Sequence, residues 1–325
     1  MAAIKNSKTT NENDNVSAEI STLGKNLYAS MPNAAFSSFT EVYSNWLPDS
    51  GIKIIKSAAR NRLSVRFSVD AAPSILFDND GLTVRMKQPV TPKQIGASAA
   101  VLLSQLLEKE LNSDGIVSLN ASCISYNGNC ALFLGDSGSG KTTSALYACL
   151  ADKKTRLVSG KRVYVQNGDK VINGVSKINI RFGSISEEFN SFPEISKVKR
   201  DLSYDSADKK IMANPELLGI KREVDYPCKL KDIIFVKKLN TPLNIQRVTA
   251  PEDEEFFRIY ASLGDGGGIV SANRLPIPFI FDYTERTRRA KYAEQLISIA
   301  SLSYVEGRLP DITSFVLNQL KMKRD

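Results

Sequence analysis

Residues 135–142 read Gly-Asp-Ser-Gly-Ser-Gly-Lys-Thr and follow directly on the nearly all-apolar run Cys130-Ala-Leu-Phe-Leu134. No other stretch constrains the fold as strongly. The apolar run predicts a strand buried on both faces, which needs a covering layer on each side. Gly135, Gly138 and Gly140 let a loop turn tightly and bring backbone amides close to an anion without a Cβ in the way. Thr143-Ser-Ala-Leu-Tyr-Ala-Cys-Leu150 then reads as a helix, with the positive end of its dipole toward the loop. The pattern is G-x-x-x-x-G-K-[ST], the P-loop, in its proper strand–loop–helix setting. The expected ligand is therefore a nucleoside triphosphate, ATP with Mg²⁺, although the motif does not separate ATP from GTP. The binding residues would be Gly135, Asp136, Ser137, Gly138, Ser139, Gly140, Lys141, Thr142 and Thr143. Lys141 would carry the catalytic charge to the β- and γ-phosphates, and the Thr142 hydroxyl would ligate Mg²⁺.

The flanking sequence predicts a mixed architecture. Leu63–Val69 alternates as a half-buried strand does, and Ser74–Phe77, Asp78-Asn-Asp-Gly81 and Leu82–Met86 read as a hairpin. Thr91, Pro92 and Gln94 form a helix start with a capping box, and the helix should end near Asn112. Asn127-Gly128 and Asn167-Gly168 mark two further hairpins. Ile233–Val236 reads as a short buried strand, and Pro251–Leu263 as a helix with acidic residues in its first turn. Residues 284–304 and 311–321 read as closing helices. The division expected is a disordered tail over 1–22, a mixed α+β region over 23–112, and a P-loop kinase-like domain over 113–325.

Composition removes several chemistries. The 325-residue chain has no histidine, so a Ser-His-Asp triad, a Cys-His pair and His-ligated zinc are excluded. Cys123, Cys130, Cys149 and Cys228 form no CxxC pair, which speaks against a zinc ribbon, and Cys130 and Cys149 read as small core residues. The formal net charge of +8 favours anionic partners without choosing among them. The polar N-terminus lacks the apolar core of a signal peptide, and no apolar run is long enough for a membrane span. A cytoplasmic protein with reduced thiols, and no membrane partner, is expected.

The order of hairpin, P-loop, helix and strand resembles the HPr kinase/phosphorylase family, whose catalytic domain is related to phosphoenolpyruvate carboxykinases. The matching stretches are Val117–Cys123, Gly135–Thr143, Ser144–Leu146 and Leu157–Val163. Close similarity covers about residues 115–165. The resemblance implies an α/β nucleotide-binding core of that type, an oligomer, and ATP-dependent transfer of a phosphoryl group to a hydroxyl. The departures are specific. Asn120 stands where the family has a histidine, Gly160-Lys161 where it has paired aspartates, and Asn179 where it has a glutamate near Mg²⁺.

Two readings follow. One is a kinase acting on an unidentified protein or small-molecule acceptor, its base drawn from Asp136, Asp201, Asp205, Asp225 or Asp232. The other is a nucleotide-binding regulatory module with weakened catalysis. A nucleic-acid-directed enzyme is a third class, which no motif supports. Arg286, Arg288, Arg289 and Lys291 read as a solvated helix face or a phosphate contact. Lys197–Arg200 and Lys209-Lys210 read as a charged surface loop or a substrate loop, and Gly264–Gly268 as a lid or a connector.

Overall fold

The computed structural model describes residues 15–48, 50–57, 61, 63–69, 74–86, 90–175, 177–181, 188–192, 210–264 and 283–322. Lys197–Arg200, Lys209, Asp201, Asp205, Asp265–Gly268 and the first fourteen residues, for which the sequence raised expectations, lie outside the described residues. The described residues form six helices and seventeen strands of a mixed α/β fold. They divide into two units: Met1–Tyr43, Ser50–Leu107 and Ile269–Pro278 in the first, and Ser44–Asp49, Glu108–Gly268 and Phe279–Asp325 in the second. No helix among the described residues is long and apolar enough to cross a membrane.

Alternation builds the first unit. β1 (Asn15–Thr22) buries Ala18, Ile20 and Thr22, and β2 (Lys25–Pro32) buries Leu27, Ala29 and Met31. The two are joined through Leu23 and Gly24, both at positive φ, as a type I′ turn requires. The tail expected over 1–22 is thus a strand from Asn15 onward. Small and polar residues hide its period in the sequence, and pairing with β2 and with β3 (Gly51–Ile55) supplies what its hydrophobicity does not. With β4 (Ser64–Val69), β5 (Ser74–Asp78) and β6 (Gly81–Met86) these strands form one sheet in the order β3-β1-β2-β4-β6-β5. β5 and β6 form the hairpin read from the sequence.

α1 (Asn33–Val42) and α2 (Pro92–Ser113) complete this unit, α2 through Leu107. A Cβ on Gly96 of α2 would lie 2.6 Å from the Phe39 amide nitrogen and 2.7 Å from the Ala35 carbonyl, so only glycine permits this approach to α1. The capping box of α2 is present: the Thr91 amide donates to Gln94 Oε1 at 3.0 Å, and the Gln94 amide donates to Thr91 Oγ1 at 3.2 Å.

The second unit is a nine-stranded sheet. Its main path is β10 (Arg156–Ser159), β8 (Ser122–Tyr126), β9 (Asn129–Leu134), β15 (Cys228–Lys238), β12 (Lys170–Gly174), β11 (Val163–Gln166) and β7 (Ile116–Leu119). β17 (Ser301–Gly307) joins β15, and β16 (Asn244–Val248) joins β17. β13 (Ile178–Arg181) and β14 (Lys210–Ala213) pair separately. β9 runs parallel to β15, and β15 parallel to β17.

β9 is buried on both faces, as its composition demands. Ala131 and Phe133 pack with α3 (Lys141–Ala151) and α6 (Leu309–Lys321). Cys130, Leu132 and Leu134 pack with α4 (Asp253–Ser262) and α5 (Tyr283–Ile299) on the opposite side. All four cysteines are buried and reduced, and burial pushes the Cys149 thiol well up from its ordinary pKa.

The helix expected over 284–304 stops at Ile299, and Ser301–Gly307 is strand. Leu302 and Val305 enter the core there, and β15 offers a backbone edge. Within this unit Arg162, 2% exposed, pairs with Glu108 at 2.9 Å, and Ser118 Oγ donates to the same carboxylate at 2.7 Å. Two of the four basic residues at the start of α5 are tied into the structure, while Arg286 and Lys291 are exposed. Arg288 pairs with Glu285 at 3.1 Å, and Arg289 lies 3.7 Å from Glu108.

Candidate functional site: a glycine-rich loop on a cationic cavity

β9 ends at Leu134 beside Phe235 of β15, and the chain then turns through Gly135–Gly140 into α3. Gly135, Gly138 and Gly140 have φ of 143°, 90° and 99°. At Gly135 a Cβ would meet Ser139 Oγ at 2.6 Å and the Val236 carbonyl at 2.9 Å; at Gly140 it would meet Lys238 Cβ at 2.7 Å. Positive φ and close packing both demand glycine here. The loop is held from inside and outside. The Ser139 amide donates to the Asp136 carbonyl at 3.1 Å, and the Lys238 amide donates to the Ser139 carbonyl at 2.8 Å. The Ser144 amide donates to the Gly140 carbonyl at 2.8 Å, closing the first turn of α3.

Lys141 Nζ donates to the Gly135 carbonyl at 2.6 Å and to the Asp136 carbonyl at 2.8 Å, so its charge sits over the loop. Burial lowers its pKa from the ordinary 10.5, against the opposing influence of the Asp136 charge. Thr142 Oγ1 donates to the Gly160 carbonyl at 2.8 Å and lies 3.2 Å from Ser122 Oγ, which also reaches that carbonyl at 2.9 Å.

The loop opens on a cavity of about 1040 Å³. Every expected binding residue from Gly135 to Thr143 lines it except Ser139, whose side chain is turned beneath the loop. The three positions that depart from the resembled family's pattern converge on the same cavity: Asn120, Gly160-Lys161 and Asn179 all line it. Lys161 Nζ rests 3.7 Å from the Trp46 ring centroid. Among the candidate bases, Asp136 lines the cavity, whereas Asp225 and Asp232 do not.

Sequence reasoning missed the far wall. Lys238, at the end of β15, pairs with Glu188. Arg258 of α4 pairs with Glu254 at 2.9 Å and also lines the cavity, beside Phe257 and Ser262. Burial pulls the Arg258 pKa down most strongly of any one influence, but the bond to Glu254 together with the charges of Tyr304, Glu254 and Asp136 outweighs it and the net direction is up. The Asn120 amide donates to the Ser262 carbonyl at 2.7 Å, fastening α4 to the segment before β8. The strand and the helix were both legible. That their ends meet at the loop depends on β9 and β15 being parallel neighbours, which no local pattern records.

The donor set suits a polyanion. Loop amides, a helix N-terminus, Lys141, Lys161, Lys238 and Arg258 face one space, with Asp136 and Glu254 as its only carboxylates among the described residues. It suits Mg²⁺ poorly. The Thr142 hydroxyl is present, but Lys161 rather than a carboxylate follows the Gly160 carbonyl to which it is bonded. Among the described residues no group of three or more His, Cys, Asp or Glu side chains is placed to hold a metal ion. No family model matches the sequence, and no curated protein matches it.

Proposed function

We propose that the chain binds a nucleoside triphosphate, ATP in the first instance, on a P-loop formed by Gly135–Thr142, within a core of the HPr kinase/phosphoenolpyruvate carboxykinase type. The observation that carries this reading is the loop itself. Three positive-φ glycines between a buried strand and a helix open onto a cavity lined by four cationic side chains. Loop amides and the α3 N-terminus would hold phosphate oxygens, Lys141 would exchange its two carbonyl partners for them, and Arg258 and Lys238 would face the same charge from across the cavity.

The cavity favours a nucleotide-binding regulatory module with weak phosphoryl transfer. Of its two carboxylates among the described residues, Glu254 is engaged with Arg258, and Lys161 occupies the place of an acid–base pair. A kinase acting on a protein or small-molecule hydroxyl is the second reading. Asp136 supports it, as an exposed carboxylate at the start of the loop able to accept a hydroxyl proton.

Calorimetry of ATP binding, with ADP release followed in the same samples, tests both. Wild type binds, and Lys141→Ala weakens binding by about tenfold or more, the worth of a charge-assisted contact to phosphate. ADP release stays at background for the module and rises above it for the kinase. Absence of ATP binding overturns the P-loop assignment.

A further inference from the structure

We infer that this site holds its triphosphate without a divalent cation, with the Lys161 ammonium serving beside Thr142 in the place of a metal ion. The inference rests on the nucleotide reading above and deepens it.

The geometry around Thr142 carries the argument. Its hydroxyl and that of Ser122 both reach the Gly160 carbonyl, at 2.8 and 2.9 Å. The next residue along the chain is Lys161, which lines the cavity. At the corner where a P-loop hydroxyl would direct a magnesium ion, the chain therefore continues into a cavity-lining lysine and not into a carboxylate that could ligate the metal. Mg²⁺ asks for oxygen ligands in a near-ideal octahedron, gives up its water reluctantly, and is repelled by an adjacent ammonium group. The cavity carboxylates among the described residues do not redress this. Glu254 is engaged with Arg258, and Asp136 lies at the opposite end of the loop from Thr142, exposed.

Protein side chains bring cations to the cavity in a metal's stead, two of them, Lys238 and Arg258, already paired with Glu188 and Glu254. Lys141 comes from α3, Lys161 from the turn after β10, Lys238 from β15 and Arg258 from α4, so four separate elements deliver one cation each. Lysine suits the role because its ammonium is a compact charge with three donors on a flexible stem. The Lys161 head rests on the Trp46 ring, 3.7 Å from its centroid. Lys238 is fixed more closely, because its ammonium pairs with the Glu188 carboxylate.

The test is calorimetry of the full chain with ATP, in EDTA and in excess MgCl₂, for wild type, Lys161→Ala and Lys161→Asp. Wild-type affinity stays within about threefold between the two conditions, and Lys161→Ala binds about tenfold more weakly in EDTA. Lys161→Asp, with a carboxylate beside Thr142, binds ATP only when MgCl₂ is present. Wild-type binding that tightens tenfold or more with MgCl₂ overturns the inference, as does a Lys161→Ala variant that matches wild type in EDTA. Absence of wild-type binding in both conditions overturns the nucleotide reading itself, and the inference falls with it. Thermal melts establish that the variants fold. If neither does, the two wild-type titrations decide the matter alone.

Discussion

Gly140 is where backbone conformation and function bear on a single atom. Its φ of 99° is disfavoured for any L side chain, and a Cβ there would stand 2.7 Å from Lys238 Cβ, on a strand that cannot easily retreat. Gly140→Ala therefore strains the loop and displaces β15 at once. We expect a loss of about 1–3 kcal/mol in stability from the strained conformation, read by denaturant unfolding. ATP binding should be lost beyond what the stability change explains, because the helix N-terminus moves with residue 140. Gly138 differs. It too has positive φ, but a Cβ there would meet nothing within 4 Å, so its cost is conformational alone.

At the level of the element, α4 shows how a helix can be read correctly and its purpose missed. The acidic start of the helix was legible, and the cap is real. The Glu252 amide donates to Glu255 Oε2 at 2.8 Å within a reciprocal box, although the helix starts at Asp253 and not at Pro251. Which side of α4 meets the cavity was not legible, because Glu254 and Arg258 look like an ordinary i,i+4 surface pair. As such a pair they contribute only about 0.3–0.5 kcal/mol. Arg258→Ala should therefore leave the melting temperature nearly unchanged while weakening ATP binding about tenfold, the value of a charged contact to phosphate. A large fall in melting temperature with unchanged binding would assign Arg258 to the fold instead. β17 shows the converse. Ser301-Leu-Ser-Tyr-Val305 carries strand alternation, yet it follows a helix so closely that the helical pattern ran over it, and only pairing with β15 separates them.

Across the second unit, the core is layered as the apolar run at Cys130–Leu134 required, with α3 and α6 on one face of the sheet and α4 and α5 on the other. The deeply buried ion pair of Arg162 with Glu108 joins residues far apart in sequence and was invisible there. Glu108→Ala takes this carboxylate away from the Arg162 guanidinium, 2% exposed, and should cost about 3–5 kcal/mol, measured by urea unfolding. The glycine-rich loop was legible because it is local, built from consecutive residues between one strand and one helix. The rest of the cavity wall was not, since it assembles from strands and a helix that meet only when the sheet is complete. The bond from the Lys238 amide to the Ser139 carbonyl has a consequence of another kind. Its donor is main chain, so every residue but proline at position 238 preserves the tether. The shape of the loop is thereby insulated from sequence drift at a position whose side chain lines the cavity. Evolution can retune the charge of this pocket through residue 238 without loosening the frame that defines it.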